Sequence, residues 1–554
     1  MIQELTPQVL FQLILWVTLI VPALTLPVSW VLLRLYHRAV LRAMAAVATG
    51  TDAQPAEAVP QPAAFSTPEP AARLRLRTVY GPWWSAARYA LAGLAFASII
   101  TLGFFVLFRF RLQPLYFLAV WWVFSWPVVL TVNFVVPSGW RMKWTTVLAY
   151  FVALAGFGQL AALTPLSPLN PLAVAWLWSV LNLPPTVLLL AFFSRRVRAV
   201  GPLVLSFMTV AVAGSTLGFW AMFYRGAADK VIALTVALRM SVYWTLIGGA
   251  ALAFAGFGWL GWLLALWIRR GYQRKGISDQ SLALDAVWLL FAASDSILLA
   301  LGGLRWALTG VVAFLVYKLV ARLGARLSSA HAAPRCTALL FLRVFALGKR
   351  SSLLFEAVTK PWRHAGSIQF ITGPDLATST VEPHQFLEFL TGKLAQLFIS
   401  GQASLDRRME LLDSRPDADG RFRVNHFFCH ADTWQGAVAR LVRGSEVVLM
   451  DLRSFSPRNA GCVRELKELV NVTPLDRLVL VIDETTERSF LDETLESVWR
   501  AMPPASPNRD RPRSDLHLFQ LDSVGAAEHR RLLHRLCLAA GRKPQGKTFS
   551  PLSQ

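Results

Sequence analysis

The sequence is poor in acidic residues and in cysteine. It has 33 Asp and Glu against 55 Lys and Arg, and four cysteines, Cys336, Cys429, Cys462 and Cys537, in 554 residues. The cysteines are far apart, with no C-x-x-C pair and no Cys/His spacing typical of zinc. This pattern argues against a disulfide-stapled secreted domain and fits a reducing compartment. We predict no metal site.

The excess of positive charge, formally +22 at pH 7, raises the question of nucleic-acid binding. No basic-aromatic RNA motif and no zinc-finger spacing is present. Many of the Arg and Lys residues lie in loops between apolar runs, where anionic lipid and the positive-inside bias account for them. We therefore expect the lipid bilayer, and no nucleic acid, as a partner.

Long apolar runs dominate the first 325 residues. The chain is 55% hydrophobic with a mean hydropathy of +0.46, which is too apolar for an ordinary soluble protein. A hydrocarbon core needs about 20 apolar residues per helix. Nine spans, give or take two, are predicted at 9–33, 86–108, 115–136, 145–163, 172–193, 202–223, 243–268, 280–302 and 304–324. Because the run 231–267 is too long for one helix, part of it could lie along the interface; the 280–302 segment could be re-entrant.

The charges of the flanking segments predict the orientation of these spans. The N-terminal flank is acidic, and Arg34, Arg38 and Arg42 follow the first apolar run, the reverse of a secretory signal peptide. Basic loops follow the odd-numbered spans at 138–144, 194–201 and 268–275. Positive loops inside predict a multi-pass protein of a bacterial inner membrane, with its N-terminus outside and its C-terminal domain cytosolic.

Composition also divides the chain into segments. Residues 1–42 are predicted to form a transmembrane anchor, and the Pro/Ala-rich stretch 43–85 a disordered cytosolic loop. The polytopic domain, with about eight spans, covers 86–325, and a linker covers 326–338. A cytosolic α/β domain is predicted at 339–542, and a flexible tail at 543–554.

Four charged residues fall at or near predicted membrane depth: Asp285, Asp295, Arg239 and Arg305. A charge at the centre of a spanning helix costs about 2.5–3.5 kcal/mol, so each requires a reason. One interpretation is an ion or proton path that uses the two carboxylates. The other places Asp285 near the cytosolic interface and pairs Asp295 with Arg305 or Arg239.

The pattern changes at Leu339. Strand-like runs occur at 339–347, 367–372, 422–428, 446–452, 477–483 and 516–522, and helical patterns lie between them at 350–363, 384–400, 431–443, 460–470, 487–501 and 524–540. Apolar strands without clean alternation, separated by helices, indicate a mainly parallel sheet covered on both faces. The predicted fold is a doubly wound, Rossmann-like α/β domain.

Ligands of such sheets bind at the carboxyl ends of the strands. Polar groups at these positions make Gly373, Asp375, Asp451 and Asp483 candidates for nucleotide binding. Because Asp is also a common helix N-cap after a strand, each Asp could equally be a cap. No G-x-G-x-x-G follows the first strand and no Walker A motif is present, so neither a dinucleotide fingerprint nor a P-loop is indicated.

The stretch EVVLMDLRSFSPRNAGCVRELKELV (446–470) resembles the central part of Toll/interleukin-1 receptor (TIR) domains. The shared pattern is a buried strand, a Ser-containing loop and a helix start of the form Cys-x-x-Glu-Leu. It extends over roughly 430–485; the first strand lacks the family's Asp-x-Phe-Ile-Ser-Tyr-like box, and 373–428 holds an additional helix and strand. The resemblance implies that Glu465 is the catalytic carboxylate of an NAD-cleaving enzyme. The alternative is that Glu465 is an ordinary solvent-facing helix residue.

Two functions follow from these features. The first is a membrane-anchored signalling or effector protein, whose TIR-like domain binds a nucleotide or a protein partner and self-associates, with NAD as the implied substrate. The second is a transporter or channel whose cytosolic α/β domain is regulatory. The number of spans, which exceeds what an anchor needs, favours the second; the resemblance favours the first.

Overall fold

The computed structural model forms two compact units, one built mainly from Val79–His331 and the other mainly from Ala332–Val381 and Glu388–Gln554. The structure describes residues 16–45, 81–110, 112–136, 138–162, 171–222, 227–329, 337–344, 349–372, 381–429, 433–521 and 525–541. The predicted disordered loop and the predicted tail fall largely or wholly outside these residues.

The N-terminal half is helical. Its α-helices are α1 (Val21–Ala45), α2 (Gly81–Leu107), α3 (Pro114–Phe124), α4 (Trp126–Val135), α5 (Trp140–Ala162), α6 (Pro171–Ala191), α7 (Arg195–Ala221), α8 (Ala227–Ala237), α9 (Val242–Gln273), α10 (Asp279–Leu299) and α11 (Leu308–Ser329). Each predicted span except the first coincides closely with one helix or with a broken pair. For the first predicted span, the described residues form a π-helical turn (Trp16–Ile20) that continues into α1, and the helix extends to Ala45, beyond the predicted end at 33.

Six helices in the described part of the chain are long and apolar enough to cross a membrane, or seven if the bent pair α3–α4 is one span. The pair bends by 45° at Ser125. Pro127 lies in the first turn of α4, where a missing N–H is tolerated, so the chain restarts a helix there. The long run 231–267 is likewise broken, because Arg239 adopts a φ of 50° between α8 and α9.

Helix α10 is the most buried of the candidate spans, with 83% of its apolar window inside the protein. Its Trp288 donates a hydrogen bond from Nε1 to Thr131 Oγ1 over 3.0 Å and stacks on Tyr317, with ring centroids 4.9 Å apart. A Cβ at Gly93 would lie 2.7 Å from the same indole. Small residues thus let large aromatic side chains fill the space between helices.

The C-terminal half is an α/β fold. Its strands are β1 (Leu339–Arg343), β2 (Ile368–Thr372), β3 (Phe398–Ile399), β4 (Val424–Cys429), β5 (Val447–Asp451), β6 (Leu478–Ile482) and β7 (His517–Gln520). Its helices are α12 (Lys349–Trp362), α13 (Pro383–Leu390), α14 (Gln402–Glu410), α15 (Trp434–Gly444), α16 (Ala460–Val472), α17 (Arg488–Arg500) and α18 (Ala526–Gly541). The sheet order is β3-β4-β2-β1-β5-β6-β7, and all six neighbouring pairs are parallel.

Helices cover both faces of this sheet, because its central strands are apolar on both sides. Buried residues of α12 and α18 pack on one face, and those of α15, α16 and α17 pack on the other. The predicted parallel, doubly wound arrangement is therefore confirmed. Without β3 and β4 the order is 2-1-5-6-7, which matches the doubly wound order 2-1-3-4-5 and puts the switch point between β1 and β5.

One predicted element has a different form. The helix expected over 384–400 ends at Leu390, and the chain continues through a short 3₁₀ turn into β3. Gly392 has a φ of 72°, a left-handed conformation that ends a helix and is easiest for glycine. Helix α14, between β3 and β4, was not predicted.

Candidate functional site

The candidate site lies where β1 and β5 end side by side. Arg343 is the last residue of β1 and lies opposite Asp451, the last residue of β5, in the parallel register. Both side chains are buried. Because parallel strands leave this edge open for ligands at a topological switch point, the groups around this pair are the first candidates for chemistry.

Asp451 is fully buried and is neutralised by Arg453. The guanidinium donates from Nε to Asp451 Oδ1 and from Nη2 to Oδ2, each over 2.8 Å. Arg453 Nη2 also donates to the backbone carbonyl of Arg350 over 3.1 Å, which ties the start of α12 to the loop after β5. Asp451 thus has a structural role, because its ion pair holds Arg453 in place. Its predicted role in nucleotide binding stays a prediction.

Asp483, at the end of β6, organises the neighbouring loop. Its Oδ1 accepts hydrogen bonds from Thr485 N over 2.9 Å and from Thr485 Oγ1 over 2.6 Å, and its Oδ2 forms an ion pair with Arg350. Thr485 Oγ1 also accepts from Ser454 N over 3.1 Å. Arg350 therefore links Asp483 to the Asp451–Arg453 pair, and the two sequence-predicted aspartates belong to one network.

Glu465 lies on the buried face of α16. Its side chain is 3% exposed, and its Oε2 has no hydrogen-bond partner among the described residues. Burial raises the pKa of Glu465 to about 8, against the opposing effect of the nearby Arg343 charge. The solvent-facing interpretation is wrong: Cys462, Leu466 and Leu469 occupy the same buried face at helical spacing, and Glu465 lies between them.

Arg343 connects this helix to the sheet. Cys462 Sγ lies 3.8 Å from the backbone oxygen of Arg343, and the Arg343 guanidinium carbon is 5.9 Å from the ring centre of Phe370. Neither Arg343 nor Arg350 was predicted as a site residue, because the first fell inside the predicted strand 339–347 and the second at the start of the predicted helix 350–363. The available signal was an arginine that ends a run of four apolar residues.

The remaining nucleotide-binding candidates, Gly373 and Asp375, lie outside the described residues. Among the described residues, no three His, Cys, Asp or Glu side chains are placed to hold a metal ion.

The four charged residues predicted at membrane depth differ in their burial and in their partners. Asp285 forms an ion pair with Lys318 of α11. Asp295 is 5% exposed and makes no hydrogen bond or ion pair with any described residue. Arg239 and Arg305 are exposed, and neither pairs with Asp295 in this part of the chain. No ion pair or hydrogen bond between described residues joins any two of these four.

Comparison of the chain with protein-family models, with curated proteins and with solved structures gives no match.

Proposed function

We propose that this chain is a polytopic membrane protein whose cytosolic α/β domain is a TIR-like signalling or effector module that binds a nucleotide at the ends of β1 and β5. In its enzymatic form the domain cleaves NAD with Glu465. The single observation that carries the proposal is the buried Glu465 carboxyl, whose Oε2 has no partner among the described residues, at the switch point of the sheet.

An unpartnered buried carboxyl is costly, so proteins rarely keep one without a function. The positive charges near Glu465 are suited to binding the phosphates of a nucleotide. Arg350, whose side chain is half-exposed, can reach a pyrophosphate, and Arg343 and Arg453 add positive charge at the same edge. Arginine is the side chain best suited to bidentate phosphate recognition.

In the proposed reaction the bond between nicotinamide and C1′ of the ribose breaks, and nicotinamide leaves with the electron pair. The ionised Glu465 carboxylate stabilises the cationic sugar, and water attacks C1′ to give ADP-ribose and a proton. Since the pKa of Glu465 is about 8 in the resting protein, kcat/KM should rise with pH through that value. Glu465 is nearly inaccessible, so a neighbouring loop has to move for substrate to enter.

The test uses full-length protein in nanodiscs, incubated with NAD while nicotinamide release is followed by chromatography. Glu465→Gln should lower turnover by roughly a thousandfold or more while NAD binding persists. Glu468→Gln, one turn from Glu465 and half-buried on the same helix, is the matched control and should retain activity. If wild type neither binds nor cleaves NAD, even in assemblies, the nucleotide proposal fails.

Membrane topology requires its own test, because the native thiols are poor reporters: burial raises the pKa of Cys429 to about 12. Two exposed leucines can be replaced instead, Leu112 between α2 and α3 and Leu411 after α14. In intact cells an impermeant maleimide should label Leu112→Cys and should label Leu411→Cys only after permeabilisation. The opposite pattern would invert the proposed orientation.

A transporter is the second candidate function, and Asp295 favours it. Asp295 is buried in the most buried candidate span and has no partner among the described residues, and such a carboxyl is a typical proton- or ion-binding group. Asp295→Asn should then abolish solute or proton flux in liposomes, whereas Asp229→Asn, an exposed control on α8, should not. Absence of flux with wild type under every imposed gradient would exclude this function.

A further inference from the structure

A groove runs along the far edge of the sheet, between β7 and α18, away from the β1/β5 edge. Its volume is about 870 Å³, and it is lined by backbone and side chains of both elements, including Leu518, Phe519, Arg531, Arg535 and Leu538. This volume is far larger than an ion needs and falls in the range of organic-ligand sites.

The strand on one side of the groove has an open hydrogen-bonding edge. β7 ends the sheet order, so only β6 pairs with it among the described strands. Leu521 N donates to Ile482 O, and Leu452 N donates to Val481 O on the opposite side of β6. These bonds fix the alternation of the ladder: the backbone N–H and C=O of Leu518 and Gln520 point outward.

The helix on the other side presents one polar face. Arg531, His534, Arg535 and Leu538 follow the i, i+3, i+4, i+7 spacing and are all exposed, whereas the opposite face of α18 packs on the sheet. Arg531 is paired with Glu528 over 2.8 Å. Arg535 makes no hydrogen bond or ion pair with any described residue, so the groove retains uncompensated positive charge.

We propose that this groove binds an extended peptide of a protein partner, carrying alternating acidic and apolar side chains, which adds to β7 as a further strand. The outward groups of Leu518 and Gln520 supply main-chain hydrogen bonds, and Arg535 binds a carboxylate on the face of the sheet that α18 covers. The alternating apolar side chains then lie on the opposite face, beside the exposed Leu518, because Phe519 packs towards α18 and its neighbour in the strand points the other way. The chain's own segment 542–554 does not fit this site, since it carries three basic and no acidic residues.

The proposal is tested by fluorescence anisotropy on the full-length protein in detergent, with a labelled peptide of alternating aspartate and valine. A lysine–valine peptide is the probe control. Arg535→Glu should weaken binding of the aspartate peptide at least about tenfold. Arg500→Glu, on the exposed side of α17, is the charge-matched control and should leave binding unchanged.

Leu518→Pro removes one outward N–H without breaking the ladder to β6, and should also weaken binding about tenfold. Should that variant unfold, the same question is answered by N-methylating alternate residues of the peptide, which should abolish binding to wild type. Equal affinity for the two peptides, or full binding of the N-methylated peptide, overturns the proposal. So does a dimer in detergent that Leu518→Pro dissociates, because a second copy would then occupy the edge.

Discussion

Large exposed hydrophobic side chains are distributed very unevenly between the two halves of the chain. In the described part of 337–541 they are few: Leu353, Leu390, Leu411, Leu518 and Leu538. Between residues 19 and 327 they are numerous and include many tryptophans along α2, α5 and α9. A water-soluble surface exposes apolar residues singly, whereas a lipid-facing one is apolar throughout. If the helical half lies in a membrane, an exposed leucine is therefore favourable there and unfavourable on the surface of the α/β half.

Buried charges differ between the halves as well. In the α/β half the buried aspartates Asp451 and Asp483 are joined through arginines, whereas Glu465 Oε2 has no hydrogen-bond partner among the described residues. In the helical half Asp285 is paired with Lys318, whereas Asp295 has no partner among the described residues. Glu465 and Asp295 are thus buried acids that their described surroundings do not explain structurally, and the two candidate functions rest on them.

The largest expected loss of stability comes from breaking the buried ion pair at the end of β5. Arg453→Met leaves the fully buried Asp451 carboxylate uncompensated and should lower the stability of the α/β half by about 3–5 kcal/mol. Chemical denaturation of the full-length protein, monitored in the α/β half, measures the loss. A double variant with Asp451→Leu should recover most of it; no recovery would mean that Arg453 acts through Arg350 instead.

The contrast between the two surfaces is tested directly by a matched pair of substitutions. Leu315→Asp on α11 and Leu353→Asp on α12 replace leucines that are 61% and 52% exposed. If α11 faces lipid, the first should cost about 3 kcal/mol and reduce membrane insertion, while the second should change stability by less than about 0.5 kcal/mol. Protease protection and thermal unfolding give the comparison. Equal, small effects would mean that α11 does not face lipid.

Close packing in the helical half makes a glycine substitution costly at one place and harmless at another. A Cβ at Gly310 would lie 2.2 Å from the backbone oxygen of Ala292, whereas Gly156 has open space around it. Gly310→Ala should therefore destabilise by about 1–3 kcal/mol in detergent, and Gly156→Ala should be neutral or slightly stabilising. Similar melting temperatures for the two variants would contradict the packing of α10 on α11.

One substitution should raise stability instead of lowering it, by an amount that depends on pH. Because the folded pKa of Glu465, about 8, lies above the value in the unfolded chain, the folded state keeps a proton that the unfolded state has lost. Stability therefore falls as pH rises from about 4.5 to about 8, and Glu465→Gln removes this loss. The variant should gain up to about 4 kcal/mol at pH 8 and less than about 1 kcal/mol at pH 5. A loss of stability at pH 8 would assign Glu465 a structural role.

Much of the fold could be read from the sequence, because apolar runs have lengths and periods that backbone geometry fixes. The six strands predicted in the α/β half all exist, shorter by up to four residues. β3 was not predicted, because a strand of two residues is too short to show the alternation of side chains that identifies a strand. Only the pairing of Phe398 and Ile399 with β4 defines it. Breaks at Ser125 and Arg239 were likewise decided by local geometry that hydropathy does not record.

The sequence by itself determined the apolar helical half, the parallel sheet and the clustering of polar residues at strand ends, since these follow from composition and periodicity. Only the tertiary structure decided what those polar residues do. It joined Asp451 and Asp483 through Arg453 and Arg350, buried Glu465 beside Arg343, and left Asp295 without a partner among the described residues. Ion pairing and burial depend on contacts between residues that are far apart in the chain. Local sequence patterns do not show which distant side chain will lie beside a given residue.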